Sequence, residues 1–157
     1  EYLNRVTRDE LVRVLREYGE ERFAGRIARV IKESLPIDTT EALTQAIFRA
    51  LGPHKGKRHH PARRTFQALR IAVNQELERL QRGIQEAIEA LLPGGRIVVL
   101  SYHSGEDRLV KNIFRDGRRD NTLNVLTKKP ERCGAEEEAE NPRARSALLR
   151  AAEKRAE

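Results

Sequence analysis

A short segment in the second half of the chain gathers side chains of the kinds that handle protons. Ser101, His103 and Ser104 lie within four positions, and Glu106 and Asp107 follow directly. Hydroxyl, imidazole and carboxyl groups can donate or accept protons, so the segment is a candidate catalytic or pocket-lining group. A serine hydrolase would carry its nucleophile in a Gly-x-Ser-x-Gly elbow, which this segment lacks. Because carboxylates also stabilise the first turn of a helix, a structural role explains Glu106 and Asp107 about as well.

The histidines and the cysteine do not indicate a metal site. His103 has no second histidine or cysteine at ligand spacing, and His59–His60 has no nearby carboxylate in sequence. Cys133 is the only cysteine, which excludes an intramolecular disulfide and favours a reducing cytosol. Gly94–Gly95 precedes a predicted strand, whereas a nucleotide-binding loop should follow one. We therefore assign no metal ligand and no cofactor-binding residue from sequence.

A basic stretch in the middle of the chain is the second candidate for function. The 157 residues include 31 Lys and Arg but 24 Asp and Glu, and no acidic residue lies between Glu41 and Glu76. A local excess of positive charge favours phosphate, so the stretch predicts contact with nucleic acid, with a solvated loop as the structural alternative. The basic residues predicted to contact RNA are Lys55, Lys57, Arg58, Arg63, Arg64 and Arg70.

Four polar residues inside this stretch share one side of a predicted helix. Arg63, Gln67, Arg70 and Asn74 recur at intervals of four, three and four, which places them in one stripe beside an apolar seam. Guanidinium and amide groups can bind a phosphate or the edge of a base. They can equally anchor neighbouring loops by hydrogen bonds, and both interpretations stay open. Gln67 and Asn74 join the candidate RNA-binding residues.

Periodicity and turn residues predict the elements that position these groups. Apolar spacing predicts helices over about residues 7–18, 20–34, 40–51 and 61–92, the last as one long helix. Five glutamates predict a solvated acidic loop over residues 131–140, and propensity favours a helix over residues 147–154.

The remainder of the chain predicts an α/β arrangement. The apolar run Ile97–Leu100 forms a buried strand, and Ser104 with Asp107 caps a helix that follows it. Ligands bind at the carboxyl ends of strands in open α/β sheets, which makes residues 101–107 the most site-like stretch of the chain.

Two properties of the whole sequence set further expectations. It contains no methionine, and because translation begins with methionine we expect this chain to be part of a longer one. No apolar run approaches the roughly 20 residues that span a bilayer, and no secretory leader is recognisable.

Segments spread over the whole chain resemble signatures of the MraW/RsmH methyltransferases, in the same order. The longest is HPARRTFQALRIAVN at residues 60–74, and the next is YHSGEDR at residues 102–108. Shorter matches are YGEER at 18–22, LPGGRIVVLS at 92–101, LTKKP at 126–130 and NPRARS at 141–146. One departure is Gly105, where the family usually has leucine; glycine loosens the start of a helix.

The resemblance implies an α/β fold, namely part of a class I, Rossmann-like methyltransferase with an inserted helical domain. Residues 1–59 would be the insert, which recognises substrate, and residues 60–157 the C-terminal part of the methyltransferase domain. Residues 147–153 would form the last strand, antiparallel to residues 123–127, in place of the helix that propensity favours. The family's N-terminal cofactor-binding strands have no counterpart here, so no cofactor residue is carried over.

The resemblance also implies a reaction: S-adenosylmethionine-dependent methylation of the N4 amine of a cytosine in 16S rRNA, near the decoding centre. The expected partner is small-subunit rRNA or the assembling small ribosomal subunit in the cytoplasm, with no membrane. A second copy of the chain is a further candidate partner. The chain alone would be an inactive fragment. The alternative is a stand-alone, non-enzymatic RNA- or ribosome-binding helical module.

This reaction suggests roles for the two candidate groups. The cytosine amine is a poor nucleophile, so the enzyme must unstack the base, align it with the methyl donor and accept a proton. We expect Ser101, His103 and Ser104 to line the pocket rather than to carry the chemistry. The stripe and the basic loop would hold RNA, and the catalytic residues stay unassigned.

Overall fold

The computed structural model describes residues 1–52 and 60–156, which form two compact units, Glu1–Glu76 and Leu77–Glu157. This division falls after the predicted boundary at residues 59 and 60, because the helix that follows that boundary packs within the first unit. The assignment of residues 1–59 to an inserted domain stays a prediction.

The first unit is a helical bundle. Its helices are α1 (Tyr2–Arg5), α2 (Arg8–Glu17), α3 (Ala24–Glu33), α4 (Thr40–Leu51) and α5 (Arg63–Asn74). The hydroxyl of Thr7 accepts a hydrogen bond from the Glu10 backbone N–H at the start of α2, and Thr39 does the same for Ala42 at the start of α4. These caps confirm the predicted helix starts. Sequence did not predict α1.

The core of the first unit consists of aliphatic side chains from α2 to α5. Leu11, Leu15, Ile27, Ile31 and Ile47 are fully buried in it. The predicted start of α3 near residue 20 was wrong, because residue 20 adopts a left-handed conformation with φ of 49° and the helix begins four residues later.

The long helix predicted over residues 61–92 was also wrong. Helix α5 ends at Asn74, Gln75 adopts the left-handed conformation with φ of 52° and ψ of 43°, and α6 begins as a new helix, Glu76–Ala90. The break lets the Glu76 carboxylate accept hydrogen bonds from Arg70 and Asn74. Six positions along a continuous helix turn a side chain by about 240°, so Arg70 and Glu76 could not meet across an unbroken one.

The second unit packs helices on an antiparallel sheet. Its elements are α6, β1 (Arg96–Ser101), α7 (Ser104–Arg119), β2 (Leu123–Val125), α8 (Ala135–Glu140), a 3₁₀ turn (Ala144–Ser146) and β3 (Leu148–Lys154). The sheet order is β1-β3-β2, with Val99 opposite Arg150 and Asn124 opposite Glu153. The predicted antiparallel last strand is therefore confirmed, and burial of alternate β3 residues outweighs their helical propensity.

The core of the second unit lies between the sheet and its helices. Ile84, Val110, Phe114, Leu123 and Ala152 are its buried members. The predicted acidic loop contains a short helix, α8, whose first turn holds three glutamates at the favourable end of the helix dipole. Among the helices of the described residues, none combines the length and apolar character needed to cross a bilayer.

Candidate functional site

The strand-end segment begins where β1 turns into α7. Exposure alternates along β1, so that Ile97, Val99 and Ser101 face the core side while Val98 and Leu100 are exposed. Ser101 closes the strand and is 1% exposed. The predicted strand and helix are both present, and the polar segment does follow the carboxyl end of a strand. The prediction that this strand is buried was wrong for one face, because Val98 and Leu100 are more than half exposed.

His103, rather than Ser104, caps helix α7. Its Nδ1 atom accepts hydrogen bonds from the backbone N–H groups of Gly105 at 3.2 Å and Glu106 at 3.3 Å. An acceptor nitrogen carries no proton, so this cap leaves Nε2 as the donor nitrogen of the ring. The predicted Ser104–Asp107 cap was wrong, because the imidazole reaches the first-turn N–H groups instead. Helix α7 begins at Ser104 despite the glycine in its first turn.

Glu106 completes a reciprocal cap. Its Oε2 atom accepts hydrogen bonds from the backbone N–H groups of Tyr102 at 2.7 Å and His103 at 3.3 Å. Its other oxygen lies 3.3 Å from His103 Nε2. The side chain of His103 and these N–H donors hold the pKa of the Glu106 carboxyl below its usual range, although burial acts in the opposite direction. Glu106 is therefore a structural carboxylate that stays ionised near neutral pH.

Asp107 is engaged in a buried ion pair that sequence reasoning missed. Arg150 of β3 donates from Nε to Asp107 Oδ1 at 2.7 Å and from Nη2 to Oδ2 at 3.0 Å. The Arg150 side chain is 6% exposed and that of Asp107 is 16% exposed. Helical propensity could not indicate that Arg150 pairs with Asp107, because it placed Arg150 on a helix. The strand implied by the resemblance instead puts Leu148, Arg150 and Ala152 on one buried face.

Two buried polar atoms of the segment make no hydrogen bond. They are Ser101 Oγ and His103 Nε2, whose contact with Glu106 lacks hydrogen-bond geometry. Both carboxylates of the segment are already engaged, so neither can act as a general base without breaking a contact of the fold. The pocket-lining role expected of Ser101 and His103 stays a prediction. Ser104 is exposed, and its role stays a prediction.

The polar stripe lies on α5 in the first unit, and part of it is held by hydrogen bonds. Arg70 forms a bidentate pair with Glu76, in which Nε donates to Oε1 at 2.8 Å and Nη2 donates to Oε2 at 2.9 Å. Asn74 Nδ2 donates to Glu76 Oε1 at 3.2 Å. At this end of the stripe the anchoring interpretation is confirmed. The pair also offsets the charge of Arg70, which lessens its attraction for phosphate.

The other basic candidates differ in their surroundings. The Arg63 side chain is exposed and makes no hydrogen bond or ion pair within the described part of the chain, whereas Arg64 donates to the backbone oxygen of Glu20 at 3.2 Å. Gln67 is partly buried. Lys55, Lys57 and Arg58 lie outside the described residues.

A groove of about 500 Å³ lies beside the stripe, within the first unit. Tyr2 and Phe66 contribute aromatic rings to its wall, and Val73, Arg70 and Asn74 line it from α5. Its size falls in the range of small-molecule sites. Sequence gave no sign of this groove, because it is formed by segments distant along the chain.

The described residues do not by themselves form a site that fits S-adenosylmethionine. The glycines Gly94 and Gly95 enter β1 rather than follow a strand, and the first-turn N–H groups of α7 at Gly105 and Glu106 are occupied by His103. No group of three potential metal ligands gathers in residues 1–52 and 60–156.

The fold and the site define an α/β protein with a helical unit that carries the polar stripe and a second unit that carries a capped strand-end segment. The chain belongs to the MraW methylase family, whose model matches residues 1–155. It is 53% identical to the ribosomal RNA small subunit methyltransferase H of Methylococcus capsulatus, over 99% of this chain and 56% of that protein. The protein of the same name from Thermotoga neapolitana is 53% identical, over 96% of this chain and 51% of that protein. The chain thus spans about half the length of these relatives.

Proposed function

We propose that this chain serves an rRNA methyltransferase that uses S-adenosylmethionine to methylate the N4 amine of a cytosine in small-subunit rRNA. The observation that carries the proposal is the match of nearly the whole chain to relatives named ribosomal RNA small subunit methyltransferase H, at about half sequence identity. The setting is the cytoplasm, and the process is ribosome biogenesis, with rRNA or the assembling small subunit as partner.

Under this proposal the chain contributes RNA binding and pocket walls rather than the cofactor site. The donor would be bound mostly by a segment equivalent to the half of the relatives that this chain does not span, in a class I methyltransferase fold. S-adenosylmethionine supplies the methyl group when bound. The chain alone is then inactive.

The residues of this chain have separate tasks in the proposal. The exposed guanidinium of Arg63 attracts the RNA backbone, and Gln67, Arg70 and Asn74 add polar contacts along the same helix. Ser101 and His103 help to shape a pocket for the unstacked base. Glu106 and Asp107 keep the first turn of α7 in place through the His103 cap and Arg150.

Arg63→Ala tests the RNA-binding part of the proposal. The substitution removes one exposed cation without disturbing a described contact, so it should weaken binding of the chain to small-subunit rRNA several-fold. It should also reduce the slope of log affinity against log salt by about one, as expected for one lost phosphate contact. Fluorescence anisotropy at several salt concentrations measures both quantities.

The matched control is Arg26→Ala, which removes an exposed arginine from α3, outside the basic stretch. It should change the affinity much less. Equal effects of Arg26→Ala and Arg63→Ala would mean that only net charge matters and would contradict the assignment of α5 as the RNA-binding helix.

The second candidate function is a stand-alone RNA- or ribosome-binding module without catalysis. The observation in its favour is that both strand-end carboxylates are engaged in structural contacts and the described residues form no site for the donor. The two functions differ in one consequence: a module binds rRNA but takes no part in methyl transfer when it is joined to a donor-binding half.

A further inference from the structure

Tyr102 is an exposed aromatic residue at the carboxyl end of β1. It directly follows the last residue of the strand, and 57% of its surface is exposed. Its ring belongs to neither hydrophobic core, and its hydroxyl makes no hydrogen bond within the described part of the chain. Packing among the described residues therefore does not explain an aromatic side chain at this position, and the ring is available to a partner.

The backbone that carries this ring is held in place. Glu106 Oε2 accepts a hydrogen bond from the Tyr102 N–H at 2.7 Å, and the same carboxylate takes part in the cap of α7. The turn at Tyr102 is thus tied to the first turn of a 16-residue helix. An aromatic ring on a fixed backbone loses little conformational freedom when a flat partner stacks on it, which favours binding.

Helix α7 begins two residues after Tyr102 and presents positive charge to solvent. Two of its three acidic residues, Glu106 and Asp107, are engaged in the cap and in the buried pair with Arg150. Its basic side chains are all exposed and recur on the side away from the core, namely Arg108, Lys111, Arg115, Arg118 and Arg119. A run of phosphates would therefore meet cations on the helix next to the ring.

We propose that Tyr102 is a positioning residue whose ring stacks on one unpaired base of the RNA substrate, beside the strand-end segment. The inference rests on the proposed function and adds a base contact to it in the second unit. Every base has a flat π-face, so this contact holds the RNA without selecting a sequence. The neighbouring phosphates lie along the cations of α7, of which the exposed Lys111 makes no ion pair within the described residues.

The combination of ring and charge favours RNA over an apolar peptide as the partner. A peptide would cover the exposed aliphatic side chains of β1, Val98 and Leu100, and would gain nothing from the cations of α7. A nucleotide uses both features, because its base stacks on the ring and its phosphate is an anion.

Tryptophan fluorescence tests the contact directly. The sequence contains no tryptophan, so Tyr102→Trp places a single indole at this position in the 157-residue chain. We expect a single-stranded RNA oligonucleotide to quench the indole saturably, because a stacked base lies against the ring. An abasic oligonucleotide of the same length, which offers phosphates without bases, should leave the emission unchanged. Phe23→Trp is the matched control, since Phe23 is 53% exposed in the first unit and an indole there should not be quenched.

Affinity measurements separate stacking from charge and from folding. Tyr102→Leu should weaken binding of the oligonucleotide roughly tenfold, whereas Tyr102→Phe should retain most of the affinity, because stacking needs the ring and not the hydroxyl. The slope of log affinity against log salt should not change in either variant, since no phosphate contact is lost. Urea denaturation should show equal stability for the parent and Tyr102→Leu, because the ring is exposed and the bond to Glu106 comes from the backbone.

Three results would overturn this role of Tyr102. They are no quenching by the oligonucleotide, equal losses of affinity from Tyr102→Leu and Phe23→Leu, and an emission of the Tyr102→Trp chain that changes with protein concentration, which would show that a second copy covers the ring. Binding by the parent chain separates this failure from failure of the proposed function. If the parent binds the oligonucleotide and Tyr102→Leu binds it equally well, only the role of Tyr102 is wrong. If the parent binds no RNA, the RNA-binding part of the proposed function fails as well.

Discussion

At the residue scale, the strand-end segment uses its charged and polar groups to hold itself in place. His103 accepts two backbone hydrogen bonds, Glu106 returns two, and Asp107 pairs with Arg150. The sequence indicated most of these residues, because hydroxyl, imidazole and carboxyl side chains rarely occur so close together along a chain. It could not assign their partners, since Arg150 lies 43 positions from Asp107.

Breaking the Asp107–Arg150 pair should destabilise the second unit strongly. Asp107→Asn or Arg150→Met leaves one buried charge without its partner, and we expect a loss of about 3–5 kcal/mol in the free energy of unfolding. Urea denaturation followed by circular dichroism measures the change. Arg96→Ala is the control, because it breaks an exposed pair with Glu153 and should cost less than about 1 kcal/mol. A loss of stability from Arg96→Ala as large as that from Arg150→Met would show that Arg150 has no special structural role.

Glu106 should make stability depend on pH in the acid range. Because folding lowers the pKa of its carboxyl, the carboxylate stabilises the fold above the unfolded-state pKa of about 4.3, and this contribution disappears as the pH falls through the lower folded pKa. Glu106→Gln should therefore be less stable than the parent at pH 6, with the difference shrinking towards pH 3.

Urea denaturation at a series of pH values measures that difference. Glu137→Gln, on the exposed helix α8, is the matched control and should retain the pH dependence of the parent. A Glu106→Gln variant whose deficit stays constant from pH 6 to pH 3 would contradict an ionised structural role for Glu106.

At the element scale, the apolar pattern predicted most helices and strand β1, but it could not locate the break between α5 and α6. Leu69, Val73, Leu77 and Leu80 continue the helical spacing across Gln75, so the pattern contains no signal of the break. The break follows from the backbone at Gln75 and from Glu76 pairing with Arg70, which are tertiary features. The last strand needed the family resemblance, because its local propensity is helical.

Gln75→Gly should stabilise the chain. Glycine adopts the left-handed conformation at little steric cost, whereas glutamine is strained there by roughly 1 kcal/mol. We expect the free energy of unfolding to rise by several tenths of a kcal/mol, since the greater freedom of glycine in the unfolded chain offsets part of the gain. Thermal and urea denaturation measure the effect.

Gln85→Gly is the matched control for this substitution. Gln85 is exposed in the middle of α6, where glycine should cost about 1 kcal/mol. The two glutamine-to-glycine changes should therefore have opposite signs. A loss of stability in both would mean that residues 74–76 form a continuous helix.

At the scale of the whole molecule, the chain divides into a helical unit that carries the polar stripe and an α/β unit that carries the strand-end segment. The relatives named ribosomal RNA small subunit methyltransferase H are about twice as long as the part that this chain matches. Our account is that the chain provides RNA binding and pocket walls to an rRNA methyltransferase whose donor is bound elsewhere.

The most direct test replaces the matching half of the Methylococcus capsulatus protein with this chain and measures methyl transfer. The folded chimera is incubated with S-adenosylmethionine and small-subunit rRNA that lacks the modification, and mass spectrometry of the digested RNA detects N4-methylcytidine. The account predicts that the chimera forms N4-methylcytidine at one site and that the 157-residue chain alone forms none. A folded chimera that binds the donor and the rRNA but transfers no methyl group, beside an active parent protein, would contradict it.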